Sequence, residues 1–488
     1  MHFVLIKINF ISIDKTLKDC IIFPNKKTGL INYMKKQNSM LTGSPIKSII
    51  LFALPIMFSS LLQYNYTLVD NIIVGRYIST DALAAAGSVG PINSFIIGTA
   101  LGLTSGFSIP VAHAFGAGDK KKLSHYAANS ISLAFLIGVV IVIIAHLLSD
   151  PLLRLIGTDE DIIHMSSAYI NILYYGIPIQ MLSNNFTAIS RAVGESKKPL
   201  YFFSVSVVVN FVLDILFVKE LQWGIEGAAL ATLISYFTAC LLNGIYLLRF
   251  NKNVDIHLRE LRPHLHTSIH QIKLGIPVSL QFTMTAIGSM CLQSVVNSFG
   301  KAVVAGFTAA ARVENLTNLP MSALGVATQT FVGQNYGSKN LQRIVSNVKK
   351  IFLLNVAISV FMSLTLYSLG EPMVKLFMDE MNPEMMAAAK RYILAISQCY
   401  SGVAVLFVMR NTLQGLGFTY SNSIAGVGEF FGRLAVAFIL TPALGFDAVC
   451  YAGPAAWIMA DIPLIVIYLI KERQFKKEIA ASSGKISV

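Results

Sequence analysis

The amino-acid sequence predicts an all-α polytopic membrane protein, with twelve transmembrane helices in two six-helix lobes related by a pseudo-two-fold axis. Three observations carry that prediction. Of 488 residues, 54% are hydrophobic and only 13% charged, against roughly 25% charged in soluble domains, and mean hydropathy is +0.63. Apolar stretches long enough for the ~20 residues of a membrane helix recur along the whole chain. The two halves also repeat each other at an offset of about 220 residues.

The helices are read in order. The first spans 46–74 with Pro55 inside it, and the second spans 82–114 with Pro110 and a GxxxGxxxG ladder of Gly98, Gly102 and Gly106. Small residues at that spacing let two helix backbones approach closely, so the ladder is a packing surface. The third runs over 122–148, the fourth over 163–190 with Pro178, the fifth over 199–218 and the sixth over 225–249. A charged stretch, RFNKNVDIHLRELRPHLH (249–266), joins the halves. The second set follows at 268–299, 302–335, 345–369, 385–414, 420–441 and 446–470, with Pro277 and Pro320 as kink points.

Domain organisation follows: an N-terminal extension over 1–39, a first lobe over 40–250, a linker over 251–266, a second lobe over 267–473 and a tail over 474–488. FVLIKINFISI in the extension is too short to span, carries Lys7 and lacks a small-residue cleavage site, so no signal peptide is expected. Met34 and Met40 are candidate true starts.

The repeat is legible in detail. FALPIMFSSLLQ (52–63) matches LGIPVSLQFTMT (274–285), which sets Pro55 opposite Pro277. VAHAFGAGDKKKL (111–123) matches VGQNYGSKNLQRI (332–344), and GIEGAALA (224–231) matches GFDAVCYA (445–452). An even number of helices per half makes both halves enter the membrane from the same side.

The net charge of +13 has the pattern of a membrane protein rather than a nucleic-acid binder. Lys120–Lys122, Arg191, Lys197, Lys198, Arg249, Arg259, Arg262, Lys339, Arg343, Lys349, Lys350 and the basic tail fall in alternate loops. The positive-inside rule then makes both termini cytoplasmic. Five scattered cysteines with no CxxC pair argue against disulfides and metal sites. No G-x-x-x-x-G-K-[ST] loop, H-E-x-x-H or Ser/His/Asp constellation is present, so neither an ATP site of that type nor an enzyme is expected. His113 and His146 are isolated in helices two and three.

The chemistry is expected where polar groups interrupt apolar runs. In VVVNFVLDILF (207–217), Asn210 and Asp214 share one face at i, i+4, and Ser206 extends it. A charge at the bilayer centre costs roughly 2.5–3.5 kcal/mol on insertion scales, so such residues serve a purpose. Asp70 in QYNYTLVDNIIVG (63–75) and Thr232 in GAALATLIS (227–235) add a carboxylate and a hydroxyl from helices one and six. Such oxygens suit Na⁺, and paired buried carboxyls suit protons equally. The bland alternatives are that Asp70 stands in water at its helix end and that Asp214 merely bonds Asn210. Met57, Met181, Phe282 and Met284 are candidates for a pliable apolar pocket. Glu429 and Arg433 in GEFFGRL read as a structural ion pair, the second half's only deeply placed charged pair.

Taken in order, LPIMFSSLLQYNYTLVDNIIVG, ALAAAG, GAGD (116–119), SRAVGESKKP (190–199), NFVLD and GIEGAALAT resemble the multidrug and toxic compound extrusion (MATE) transporters, from about Met40 to Lys471. The resemblance implies an ion-coupling site at Asp70, Asn210 and Asp214 with Thr232 as a further ligand, and a polar pocket at Gln63 and Asn184. It implies a monomer in the cell membrane that exports cationic amphiphilic drugs against Na⁺ or H⁺, with no cofactor. Helix seven and the stretch 390–414 lack the acids of the NorM-like branch, so the sequence is most similar to the DinF-like branch, close to the MepA-type exporters. The nearest rival is a lipid-linked precursor flippase of the same superfamily, which commonly has fourteen spans. A major-facilitator antiporter is disfavoured, since GAGDKKKL stands where its G-x-x-x-D-R-x-G-R-R loop belongs.

Overall fold

A computed structural model describes residues 40–155, 158–256, 258–377 and 382–484; the 1–39 extension lies outside the described residues. Twelve spans follow one another. They are α1 (Pro45–Tyr77), α2 (Asp81–Gly116), α3 (Lys120–Leu155), α4 (Glu160–Tyr175 continued by Ile177–Ala192), α5 (Lys197–Glu220) and α6 (Gly224–Phe250). After the linker come α7 (Leu265–Asn297), α8 (Lys301–Gly337), α9 (Leu341–Lys375), α10 (Pro383–Cys399 continued by Ser401–Gly415), α11 (Tyr420–Leu444) and α12 (Ala452–Gly484). The tail expected from 474 is thus helical through Gly484, and Phe475 is buried in the second lobe's core beside Tyr336.

Among the described residues, nine spans are long and apolar enough to cross a membrane alone, and α10, bent by 55° at Tyr400, makes a tenth. The two that miss this measure, α4 and α8, carry polar residues at helical spacing, among them Gln180, Ser183, Asn184, Thr187 and Arg191 on α4. Those side chains line the interior (below), which is why the two helices need not be apolar all round.

The repeat extends to backbone geometry. Gly118 (φ 71°) and Lys339 (φ 59°) take the left-handed conformation that ends α2 and α8. In both turns an N–H reaches back across six residues, Asp119 to Ala114 O at 3.1 Å and Asn340 to Asn335 O at 2.9 Å. The next residue of chemical interest is also shared: Asp119 and Asn340 cap α3 and α9, accepting from Lys122 N at 3.0 Å and Arg343 N at 3.1 Å. Gly194 (φ 87°) and Gly417 (φ 87°) repeat the left-handed turn after α4 and α10. A π-helical stretch ends α5 (Ile215–Glu220) and lies near the end of α11 (Ala435–Leu440).

The first helix of each half crosses between the lobes. On α1, Ile49, Phe52 and Ile56 pack in the core of the second lobe, whereas Ile73 and Val74 pack in the first. Pro55 lies at the changeover, where its ring removes a helical hydrogen bond. On α7, Gln271 is buried against α2 and α3, donating to Phe107 O and Tyr126 O, while Leu292 and Val296 join the second lobe's core.

The lobes meet near the face that carries the described chain ends, here the terminal face. The glycine ladder makes that contact: a Cβ on Gly102 or Gly106 would run into the α7 backbone at Ser279 and Gly275. A Cβ on Gly116 or Gly337 would likewise strike the facing carbonyl of Gln334 or His113. Hydrogen bonds that tie the lobes there include His113 Nε2 to Gly415 O at 2.8 Å, Gln334 Nε2 to Ala192 O at 2.9 Å and Gln414 Nε2 to Ser105 Oγ at 2.8 Å. A carbonyl only accepts, so His113 carries its proton on Nε2. Toward the other face, Gly87 and Gly90 of the same α2 have nothing near them.

Candidate ion and substrate site

Above that contact lies a cavity of about 620 Å³ in the first lobe, lined by α1, α2, α4, α5 and α6 and closed on one side by Ser322, Ala323 and Val326 of α8. A smaller cavity of about 70 Å³ sits at its base, against Gly333 and Gly415.

Asp70 lines the large cavity and is buried, 9% exposed, so it does not stand in water at the end of α1. Asp214, on α5, is 0% exposed and lies directly behind it. The two carboxyl groups are close enough to interact directly. Among the described residues no donor reaches Asp70 Oδ1 or either oxygen of Asp214. Asn210 shares the buried face of α5 one turn away, yet its Nδ2 makes no hydrogen bond, so it does not satisfy Asp214. Thr232 closes the group from α6, with Tyr66 OH 3.2 Å from its Oγ1. Tyr66, Tyr169 and Tyr236 line the same cavity as Asp70. Two neighbouring buried carboxyl groups resist being charged together, which favours a shared proton or a bound cation. The amide oxygen of Asn210 and the hydroxyl of Thr232 complete a hard-oxygen set.

The structure therefore brings Asp70, Asn210, Asp214 and Thr232 together from three helices. Gln63 and Asn184 both line the cavity. The four apolar candidates are not on its wall. Met181 is 0% exposed in the first lobe's core, and Met57 packs against the second lobe. Phe282 meets Gly98 at the α2–α7 contact, and Met284 on the same helix is half-buried off the cavity. Helix periodicity marks such side chains as apolar but leaves open which neighbour each one faces.

Sequence reasoning missed several wall residues. Gln180, Ser183 and Thr187 line the cavity beside Asn184, Asn243 lies on α6, and Arg191 reaches both cavities. The signal was available: the α4 positions recur every three or four residues. Arg191, read as a loop cation, belongs instead to the last turn of α4.

In the second lobe, Glu429 is buried and holds three partners. Arg410 Nη1 lies 3.0 Å from Oε1, Arg433 Nη1 3.5 Å from Oε2, and Thr285 Oγ1 donates to Oε2 at 3.1 Å. The i, i+4 pair is present, but Arg410 of α10 is the nearer partner, and Asp461 of α12 is a further buried acid close to the same charges. Glu429 and Arg433 are thus not the only charged pair at depth. VMRNTL and IMADIPL, each an apolar run broken by one charge, carried that information.

The sequence profile of the MatE family matches this chain twice, over residues 55–216 and 277–438. The chain is 28% identical over 445 residues to "Probable multidrug resistance protein YoeA" of Bacillus subtilis (strain 168), covering 88% of this chain and 94% of the relative. It is 30% identical over 375 residues to "Probable multidrug resistance protein YpnP" of the same organism, covering 77% and 83%. Among solved structures, "Outward-facing conformation of a multidrug resistance MATE family transporter of the MOP superfamily" superposes with a TM-score of 0.83 at 25% identity, covering 91% of this chain and 99% of that one.

Proposed function

The chain belongs to the MatE family, and from that premise we propose that this multidrug efflux transporter is a cation-coupled antiporter, exporting cationic amphiphilic compounds in exchange for inward Na⁺ or H⁺. The observation that carries the reading is the Asp70–Asp214 pair, buried beside the cavity with no protein donor on Asp70 Oδ1 or on either oxygen of Asp214. A fixed counter-charge there would prevent exchange; an unfilled one requires an ion that comes and goes.

Basic loops set the terminal face in the cytoplasm of a cell-membrane protein, so the cavity of this state faces outward. A cation or proton entering from outside occupies the Asp70, Asn210, Asp214 and Thr232 oxygens. Its arrival changes how the outer half of α1 packs on the first lobe, and Pro55 lets that half move while Ile49 and Phe52 stay on the second lobe. Drug contacts at Gln63 and Asn184 weaken and the drug leaves. Coupling requires that ion and drug each differ in affinity between the two states. The transporting unit is proposed to be a monomer.

The test is efflux of a fluorescent cationic dye from proteoliposomes under an imposed Na⁺ gradient or an imposed pH gradient. One gradient is expected to drive efflux by the parent protein, and Asp70→Asn and Asp214→Asn to reduce it to the level of protein-free vesicles. Coupled efflux by both variants would overturn the reading.

A further inference from the structure

The cavity has a second pole that cation export does not use. Of the residues on its wall, the ionisable acid is Asp70 and the strong base is Arg191. Arg191 Nε is buried and has no hydrogen-bond partner, and among the described residues no carboxylate stands beside the guanidinium. Glu195, four positions on, is engaged instead by the backbone N–H groups of Lys197 and Lys198. A helix-terminal arginine often serves its own helix by bonding the last carbonyls. No such bond is made here. The Cα–Cβ bond tilts toward the helix N-terminus, which on α4 points away from the terminal face, so the side chain turns back up into the cavity.

Arg191 is half-buried on the cavity wall with its Nε shut off from water and unpaired; such an arrangement is costly, and the planar fork matches a carboxylate or phosphate through two parallel hydrogen bonds. We infer that Arg191 is the residue that recognises an acidic group on the transported molecule, seating the acid end of a zwitterionic amphiphile on Arg191 and its amine end toward Asp70. The inference rests on the proposed function in placing the substrate in this cavity.

The two poles set the size of that substrate. Thr232 stands beside the carboxylates, and Asn243 lies next to Gly244, which packs on Phe186 near the end of α4. Those positions on α6 are about 16 Å apart at 1.5 Å per residue. A phospholipid headgroup, with its charges only a few atoms apart, is too short to reach both. A drug-sized or fatty-chain zwitterion is not. Thr187, Asn184 and Gln180 step up α4 between the poles and offer hydrogen bonds along the way.

The test is calorimetric binding of a twelve-carbon ω-amino acid and of its methyl ester to the full-length protein in nanodiscs. The acid is expected to bind at least tenfold tighter than the ester, Arg191→Gln to bring the two within twofold, and Arg191→Lys to keep a reduced preference. Equal affinities in the parent, or a preference that survives Arg191→Gln, would sink the inference. Binding and efflux of a cationic dye, measured on the same samples, show whether each variant is folded. Should the parent neither bind nor carry that dye, the proposed function fails while the acid–ester comparison still reads Arg191. If the dye is carried but the acid is not preferred, only the inference fails.

Discussion

Asp214 in the first lobe and Glu429 in the second lie on α5 and α11, the equivalent helices of the repeat, and both are buried. Asp214 has neither oxygen hydrogen-bonded, and its nearest charged group is another acid, Asp70. Glu429 has both oxygens engaged, by Arg410, Arg433 and Thr285, and Asp461 is a further buried acid near Arg410. The same scaffold thus holds a carboxylate in two ways. Where the chain supplies the counter-charge, the acid is fixed structure. Where it does not, the acid is open to a partner from outside the chain, which is the property the proposed ion coupling needs. Because the two halves resemble each other in turns, caps and π-helical ends, the difference lies in a few side chains and not in the fold.

The largest effect is expected from removing the exchangeable charge. Asp214→Asn should abolish gradient-driven dye efflux and leave the melting temperature unchanged or raised, because an amide tolerates burial beside Asp70 better than a second carboxylate. A marked fall in melting temperature would mean that the two acids are alike after all.

Glu429→Gln should do the reverse. It strands two buried guanidinium groups, and breaking a buried ion pair from one side costs about 3–5 kcal/mol. Chemical denaturation in mixed micelles should show that loss, with transport per folded molecule kept. Adding Arg410→Gln should recover part of the stability; if it recovers none, Glu429 acts in transport and the contrast between the lobes breaks.

A smaller effect is expected at the contact that sets the two lobes against each other. Gly106→Val places a side chain against the α7 backbone at Gly275, so the terminal face should close less often. Cysteines at Ser105 and Gln414, whose side chains now lie 2.8 Å apart, should crosslink readily in the parent background and severalfold more slowly with Gly106→Val. Equal crosslinking would mean that α2 and α7 separate without cost.

The smallest concerns the duplicated cap. The backbone N–H of Lys122 holds the exposed Asp119 carboxyl below its ordinary range, near 3.9 in unfolded chains to within about a unit. A folded-state value below the unfolded one contributes stability above about pH 4, and the contribution fades as pH falls through the folded value. Asp119→Ala should therefore melt slightly lower than the parent at pH 7, by a margin that shrinks as pH is taken below about 4. The equivalent Asn340→Ala should show no such pH dependence, since an amide does not titrate there.

Much of this was legible in the chain. Asp70, Asn210, Asp214 and Thr232 stand out because a polar group in an apolar run is conspicuous whatever surrounds it. Gln63 and Asn184 were legible for the same reason. The methionines and phenylalanines were not, because nearly every face of a membrane helix is apolar. Whether Met181 meets a cavity or a neighbouring helix depends on packing alone. Arg191 was hidden by its position at a helix end, where a cation reads as a loop residue. Arg410 was conspicuous by itself, but its pairing with Glu429 joins two helices that the local pattern does not connect.

The order of polar and apolar residues along the chain determined the spans, the repeat and the presence of costly charges in the membrane, because burial and helical hydrogen bonding in lipid act on each segment separately. Only the tertiary structure decided which of those charges are neutralised within the protein and which find no partner in it. Neutralisation depends on distances of 3–4 Å between side chains on different helices, and no pattern along one helix encodes such a distance.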